Sequence, residues 1–420
     1  MSEQTFDRGA IQRRTVGVLF IGQVLGGLGF GATLAIGSLL FVELSGGKGL
    51  AGMAVTMSTL GAGLAAIPLA RLAQRSGRGI SLSAGAALAA VGALIAVIAA
   101  AAASLPLLFI GSAMIGMGNA ANLQARFAAT DLAAPRNRGR DLSIVVWSTT
   151  IGAVIGPNLL EPGERVGATL GLPPLTGVFA MMLLTQLLAV VLYLVALRPD
   201  PLVLAARLKA DDDRIAVVAG APIAAQSPAR NLFRFAVVSL ALSHATMVAV
   251  MAMTPVHLTD HGATLTVVGL TISLHVAGMY ALAPLFGILA DRIGRVQSVV
   301  VGQAILLAGV SATGLGAESQ EWVTFGLILI GLGWSAATIA ASALVTESSP
   351  LEVRTRNQGR SDLAMSLSGA VGGALAGIVL AFGGYSGLSL AAGVLVAIVI
   401  AYASAVWFAE RPKITEDAAL

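Results

Sequence analysis

The stretch that decides the fold is Gly287-Ile288-Leu289-Ala290-Asp291-Arg292-Ile293-Gly294-Arg295. It sets charges and a chain-turning glycine between two apolar runs, at about 265–289 and 297–316, each long enough to cross a bilayer as a helix. A related stretch stands earlier in the chain, Ala73-Gln74-Arg75-Ser76-Gly77-Arg78, again between two long apolar runs. The step along the chain from Arg75 to Arg292 equals that from Gly77 to Gly294 and from Arg78 to Arg295. A second pair of motifs repeats with nearly the same step, from Gly139 to Gly359 and from Arg140 to Arg360. Asp131 and Pro135 lead into Gly139-Arg140-Asp141-Leu142, and Glu347 and Pro350 lead into Gly359-Arg360-Ser361-Asp362-Leu363. Two independent motifs at nearly one offset mark an internal duplication.

Outward from these loops the chain divides into apolar runs at about 16–42, 50–72, 80–103, 105–130, 142–160 and 175–197, then 232–257, 265–289, 297–316, 322–346, 362–383 and 387–408. Of the 420 residues, 56% are hydrophobic and 11% charged, against roughly a quarter charged in a soluble domain. A bilayer accepts that apolar surface; a soluble core of this length does not. Strand-sized alternating segments, which a barrel needs, are absent. With no water to pair the backbone in lipid, helices remain. The expected fold is an all-α membrane protein with twelve transmembrane helices in two pseudo-symmetric six-helix halves. Residues 1–15 form an N-terminal tail, 16–197 the first bundle, 198–230 a polar linker, 231–408 the second bundle and 409–420 a C-terminal tail. The first apolar run is too long for a signal-peptide core and reads as an uncleaved helix.

Charge sets the orientation. With the N-terminus inside, Arg71, Arg75, Arg78, Arg136, Arg138, Arg140, Arg292, Arg295, Arg354, Arg356 and Arg360 all fall on inner loops. Of 25 Lys and Arg residues, only Lys48 and Arg165 fall outside. Both termini are therefore expected in the cytoplasm of a cell-membrane protein. The net charge of +4 reads as loop charge rather than as a nucleic-acid surface. Cysteine is absent, which excludes disulfides and thiol chemistry. No phosphate-cradling loop is present, so this chain alone is not expected to be an ATP-driven pump. No cofactor or metal is expected, and no enzymatic set of residues is visible at midplane.

The loop motifs resemble those of the major facilitator superfamily, whose signature reads roughly Gly-x-x-x-Asp-Arg-x-Gly-Arg. Gly287, Asp291, Arg292, Gly294 and Arg295 match it throughout. In the first copy Ala70 and Gln74 replace glycine and aspartate, while Arg75, Gly77 and Arg78 are kept. The resemblance implies alternating access by two rocking halves, with Asp291 meeting the N-terminal end of the fifth span and the arginines Arg75, Arg78, Arg292 and Arg295 holding the same gate. Gly152, Gly156 and Pro157 in the fifth span resemble a signature of exporters and antiporters, without the glycine pair that usually follows the proline. Ser112 stands where proton-coupled relatives often carry arginine.

Candidates for contact with substrate or proton come from polar groups inside the apolar runs, which usually face the protein interior. They are His244 and His275, each near the middle of a span, with Asn119, Asn122, Gln23 and Trp334. Each has a plainer alternative in helix-to-helix hydrogen bonding. Thr338 is a candidate of the same kind as Gln23 and Trp334, Trp147 is a weaker one, and Arg126 is expected to snorkel or to pair with Asp131. His257, Asp260 and His261 read as a solvated turn rather than as metal ligands. The expected function is secondary active transport of a small molecule, led by proton-coupled export of small amphipathic or drug-like compounds. A nutrient importer or uniporter is the alternative within transport. A membrane receptor or assembly factor that does not transport is the alternative outside it. The expected partners are the small-molecule substrate, membrane lipid and protons as coupling ion.

Overall fold

The chain is seen in a computed structural model that describes residues 7–46, 50, 53–155, 159–218 and 229–410. Lys48, Gly156, Pro157 and most of the 409–420 tail lie outside the described residues. The first half comprises α1 (Arg8–Ser45), α2 (Met53–Ser76), α3 (Arg78–Ala101), α4 (Leu105–Ala128), α5 (Arg138–Ile155), the short α6 (Leu160–Thr169) and α7 (Gly177–Ala196). Helix α8 (Pro201–Val218) follows, within the stretch read as a linker. The second half comprises α9 (Arg230–Asp260), α10 (Leu265–Tyr280), α11 (Ala283–Ile293), α12 (Arg295–Leu315), α13 (Gln320–Glu347) and α14 (Leu351–Glu410).

Among the described residues, nine helical stretches are long and apolar enough to cross a membrane. The last, Leu351–Val406, is long enough for two spans: its 56 residues reach about 84 Å as a helix, against a hydrocarbon core of about 30 Å. The chain bends inside it at Gly384, whose φ of 64° favours glycine. Several edges differ from the sequence reading for local reasons. Helix α1 begins at Arg8, because the Asp7 carboxylate accepts from the Ala10 N–H and caps it. The eighth span is broken into α10 and α11 just before Pro284, which cannot donate to the preceding turn.

The duplication is visible in the packing. Gly85 and Gly92 of α3 meet Ala121 and Gly111 of α4, and a Cβ on Gly92 would lie 2.7 Å from the Gly111 carbonyl oxygen. Gly302 and Gly309 are their counterparts on α12, at the same step along the chain as the loop motifs, and meet Gly333 and Gly326 of α13 in the same way. In lipid, helices associate through close van der Waals contact rather than hydrophobic burial, so these small faces hold each half together. Gly77 (φ 91°) and Gly294 (φ 100°) start α3 and α12 with the same positive-φ turn. Arg78 then pairs with Asp131, and Arg295 with Glu347, so the duplicated halves share an ion pair as well.

Candidate functional site

All loops rich in arginine gather at one end of the bundle, the basic face. There the two halves touch through a layer of polar contacts. The Asp291 carboxylate accepts from the backbone N–H groups of Gly139 (2.9 Å) and Arg140 (2.8 Å), in the first turn of α5. Those N–H groups have no partner inside their own helix, and the positive end of the helix dipole favours a carboxylate there. Arg295 donates to Asp291 at 2.5 Å and to Glu347 at 2.8 Å, and also reaches the Pro135 carbonyl at 3.2 Å. Gly287 permits the approach: a Cβ there would lie 2.5 Å from the Gly139 carbonyl oxygen.

The degraded copy of the loop motif makes a related contact with reversed polarity. Gln74 holds the place in the first copy that Asp291 holds in the second, and it donates its amide to the Glu352 carbonyl at 2.5 Å. The replacement of aspartate by glutamine swaps an acceptor for a donor and suits a carbonyl target. Arg75 and Arg292 are exposed. Arg78 is buried, binds Asp131 through two nitrogens, and reaches Gln358 of α14 at 2.6 Å.

Deeper in the bundle, Arg126 of α4 and Asp362 of α14 form an ion pair between the halves at 2.6 Å, with side chains 4% and 0% exposed. This corrects the expected pairing of Arg126 with Asp131, whose oxygens are taken by Arg78. Apolar contacts close the same level: Phe127 packs with Phe235 and Val345, and Leu142 with Ala283 and Ile339.

Beyond this layer lies the central group. The Trp334 indole N–H donates to His244 Nδ1 at 3.1 Å, so the proton of the neutral ring sits on Nε2. Tyr280 stands edge-on to Trp334, with ring centroids 6.0 Å apart. Gly369 leaves room for the His244 ring, since a Cβ there would lie 2.8 Å from Nε2. Arg126 is within electrostatic reach of both His244 and Tyr280. In the first half, Gln23 donates to the Asn122 carbonyl (3.3 Å) and to Thr149 (3.4 Å), and its own Oε1 is buried without a partner. Asn122 lies against Gly26, Asn119 is half-buried, and Trp147 lies near Phe20, with centroids 5.9 Å apart. Gly152 packs on Gly27 of α1. Aromatic faces and neutral amides together suit a planar, weakly polar molecule.

His275 is fully buried and its Nδ1 lies 2.7 Å from the Leu327 carbonyl oxygen, inside the contact of α10 with α13. His257 is also buried rather than solvated: its ring stacks on Tyr385 at 4.0 Å and its Nε2 bonds the Ala317 carbonyl at 2.7 Å. It lines a pocket of about 340 Å³ at the end opposite the basic face, with Asp260, His261 and Glu318. Among the described residues, no group of three or more His, Asp or Glu is arranged to hold a metal.

The pair of Arg126 and Asp362 is what sequence reasoning missed. The repeat carried a signal for it, since Asp362 was aligned with Asp141 at the start of the corresponding span.

The sequence profile of the Major Facilitator Superfamily matches residues 19–257 and 235–419. The chain is 35% identical over 405 residues to the uncharacterized MFS-type transporter YddS of Bacillus subtilis (strain 168), covering 96% of this chain and 92% of that one. It is 37% identical over 387 residues to YdeG of the same organism, covering 92% and 90%. It is 28% identical over 390 residues to the riboflavin transporter RfnT of Brucella anthropi, covering 92% and 94%. The fold is similar to that of the human organic anion transporter MFSD10 (TETRAN), with a TM-score of 0.75, 16% identity, and coverage of 93% and 99%.

Proposed function

Because the chain belongs to the major facilitator superfamily, we propose that it is a proton-coupled exporter of small, planar, weakly polar compounds, working by alternating access. The observation that carries the reading is the seam at the basic face. Its contacts are point-like and polar, Asp291 on the α5 N-terminus foremost, and two rigid halves can separate there without unfolding either. The small-residue faces within each half keep those halves intact while the seam opens.

Export is supported by the partial signature in the fifth span, of which Gly152 packs closely on α1. The central group supports a substrate without several negative charges: it offers His244, Trp334, Tyr280 and amides, and one arginine already paired. The bias of positive charge supports a cell-membrane location with both termini and the basic face in the cytoplasm. A second reading, uptake of a heteroaromatic nutrient, draws support from the riboflavin transporter relative and from the same aromatic group.

Reconstituted protein tests both. Substrate extrusion driven by an imposed pH gradient in proteoliposomes is the expected result. Counterflow that ignores the gradient would replace the proposal with a uniporter. Absence of any counterflow across a chemically diverse compound set, with capture of a protein partner, would replace it with a receptor.

A further inference from the structure

The geometry points to Asp362 as the proton-binding residue whose protonation releases the seam between the halves; the inference deepens the export reading and rests on it for its biological meaning. Several carboxylates lie at or near the seam. Glu347 is bonded to Arg295 of its own half, Asp141 to Gln12 and Arg140 of its own half, and Glu352 is exposed beside Lys209. The bonding of the remaining three differs. Both oxygens of Asp131 are held by Arg78, which belongs to the same half and does not part from it when the seam opens. Both oxygens of Asp291 are held, Oδ1 by the Gly139 N–H and Arg295, Oδ2 by the Arg140 N–H. Asp362 is held through Oδ1 alone, by Arg126 of the other half. Its Oδ2 is buried without a hydrogen-bond partner, and so is the Nε of Arg126.

Parting this pair before water has entered the seam leaves a lone carboxylate in a low-dielectric interior, which is strongly unfavourable unless the charge is removed. A proton removes it. Oδ2 is free to take that proton from water on the side opposite the basic face, forming an O–H bond while Oδ1 still faces Arg126. Once neutral, Asp362 no longer holds Arg126, and the seam opens. Water on the basic side then takes the proton from Oδ2, which leaves a solvated carboxylate. Closing the seam reforms the ion pair. Each empty return to the basic-open state thus carries one proton inward, which is the half-cycle an antiporter needs after releasing its cargo. The freed Arg126, with unused donors, is then available to an acceptor group on the incoming compound.

Few other charges bear on Asp362. Arg126 on α4 and Arg78 on α3 act on it directly. Helix α2 presents Gly63, Ala66 and Ala70 to this stretch of α14, and α13 presents Thr346 beside Gln358. Helix α9 brings His244, packed at Gly369, seven residues or about 10 Å further along α14. On α14 itself Arg354 and Arg360 lie toward the basic face.

The chain has no cysteine, so a single one can report the seam. Thr130 is fully buried there, 3.4 Å from Thr346 of the other half. In purified Thr130→Cys protein without substrate, the maleimide labelling rate, divided at each pH by that of the same protein unfolded in denaturant so that the loss of thiolate cancels, should quicken as pH falls, by up to about tenfold per pH unit for one proton taken up on opening; every labelling rate below is taken as this ratio. Adding Asp362→Asn should make labelling fast and independent of pH. The doubly neutral Arg126→Gln/Asp362→Asn protein should behave alike and guards against misfolding of the single variant. In the cysteine-reporter protein that keeps Asp362, a protonated-carboxyl infrared band should grow over the pH range in which labelling quickens. Labelling that does not respond to pH, or a pH response that survives Asp362→Asn, would overturn the proposal. Proton-gated labelling without export of any compound would sink the export reading alone. Gradient-driven export that persists in Asp362→Asn would sink this inference alone.

Discussion

The backbone N–H of Gly139 donates to the Asp291 carboxylate at 2.9 Å, and this bond joins the two halves of the bundle across the basic face. Asp291 accepts a second bond from Arg140 N–H and a third from Arg295. Hydrogen bonds to a charged group contribute about 1.5–3 kcal/mol each. Asp291→Ala should therefore shift the seam toward opening by at least about tenfold. Expression should be unaffected while transport falls, read by proteoliposome uptake alongside quantified protein. Unchanged transport would remove Asp291 from the gate.

Gly287→Val should act in the same direction without changing any charge. Its Cβ would press on the Gly139 carbonyl oxygen at 2.5 Å, and both atoms belong to packed helices. The expected result is an open seam with normal thermal stability of each half, measured by cysteine labelling and by melting in detergent. A closed seam in this variant would mean that α5 and α11 can slide apart sideways and that the close approach has no gating consequence.

Gln74→Asp restores the family pattern in the first loop and should nevertheless weaken the seam. The amide of Gln74 donates to the Glu352 carbonyl, and a carboxylate at that place would face an acceptor. The site is exposed, so the loss is about 0.5–1.5 kcal/mol, the usual net worth of one hydrogen bond. Faster labelling at the basic face is expected, and slower labelling would contradict the observed polarity.

His275→Leu and Trp334→Phe should separate structure from recognition. The first removes the buried hydrogen bond between His275 and the Leu327 carbonyl, which keeps its bond within α13, and should lower stability by about 0.5–1.5 kcal/mol. Its response to compounds in thermal shift should be unchanged in rank. The second frees His244 Nδ1 in the central group and should alter which compounds stabilise the protein. Identical ligand ranking in Trp334→Phe would argue against the central group as the binding site.

Much of the architecture was legible because its signals are local. Runs of apolar residues mark spans, and loop arginines cluster around turns that Gly77 and Gly294 adopt with positive φ. The partner of Arg126 was not legible. Asp131 stands close to it in the chain, but the packing gives Asp131 to Arg78, and Arg126 instead meets Asp362 from the far half of the sequence. The same limit applied to the histidines. His244 and His275 are alike as midspan polar groups, yet one meets an indole in the central group and the other a backbone carbonyl between two helices.

The sequence by itself determined the helical membrane class, the duplication, and the loops that carry charge, because hydrophobic length and turn chemistry act over short stretches of chain. Only the tertiary structure decided that Gln74 donates to the Glu352 carbonyl, that Arg126 meets Asp362 across the halves, and that Asp362 keeps one oxygen free. Those outcomes depend on the rotation of each helix about its axis and on contacts between residues far apart in the chain. Spacing along one helix does not report either.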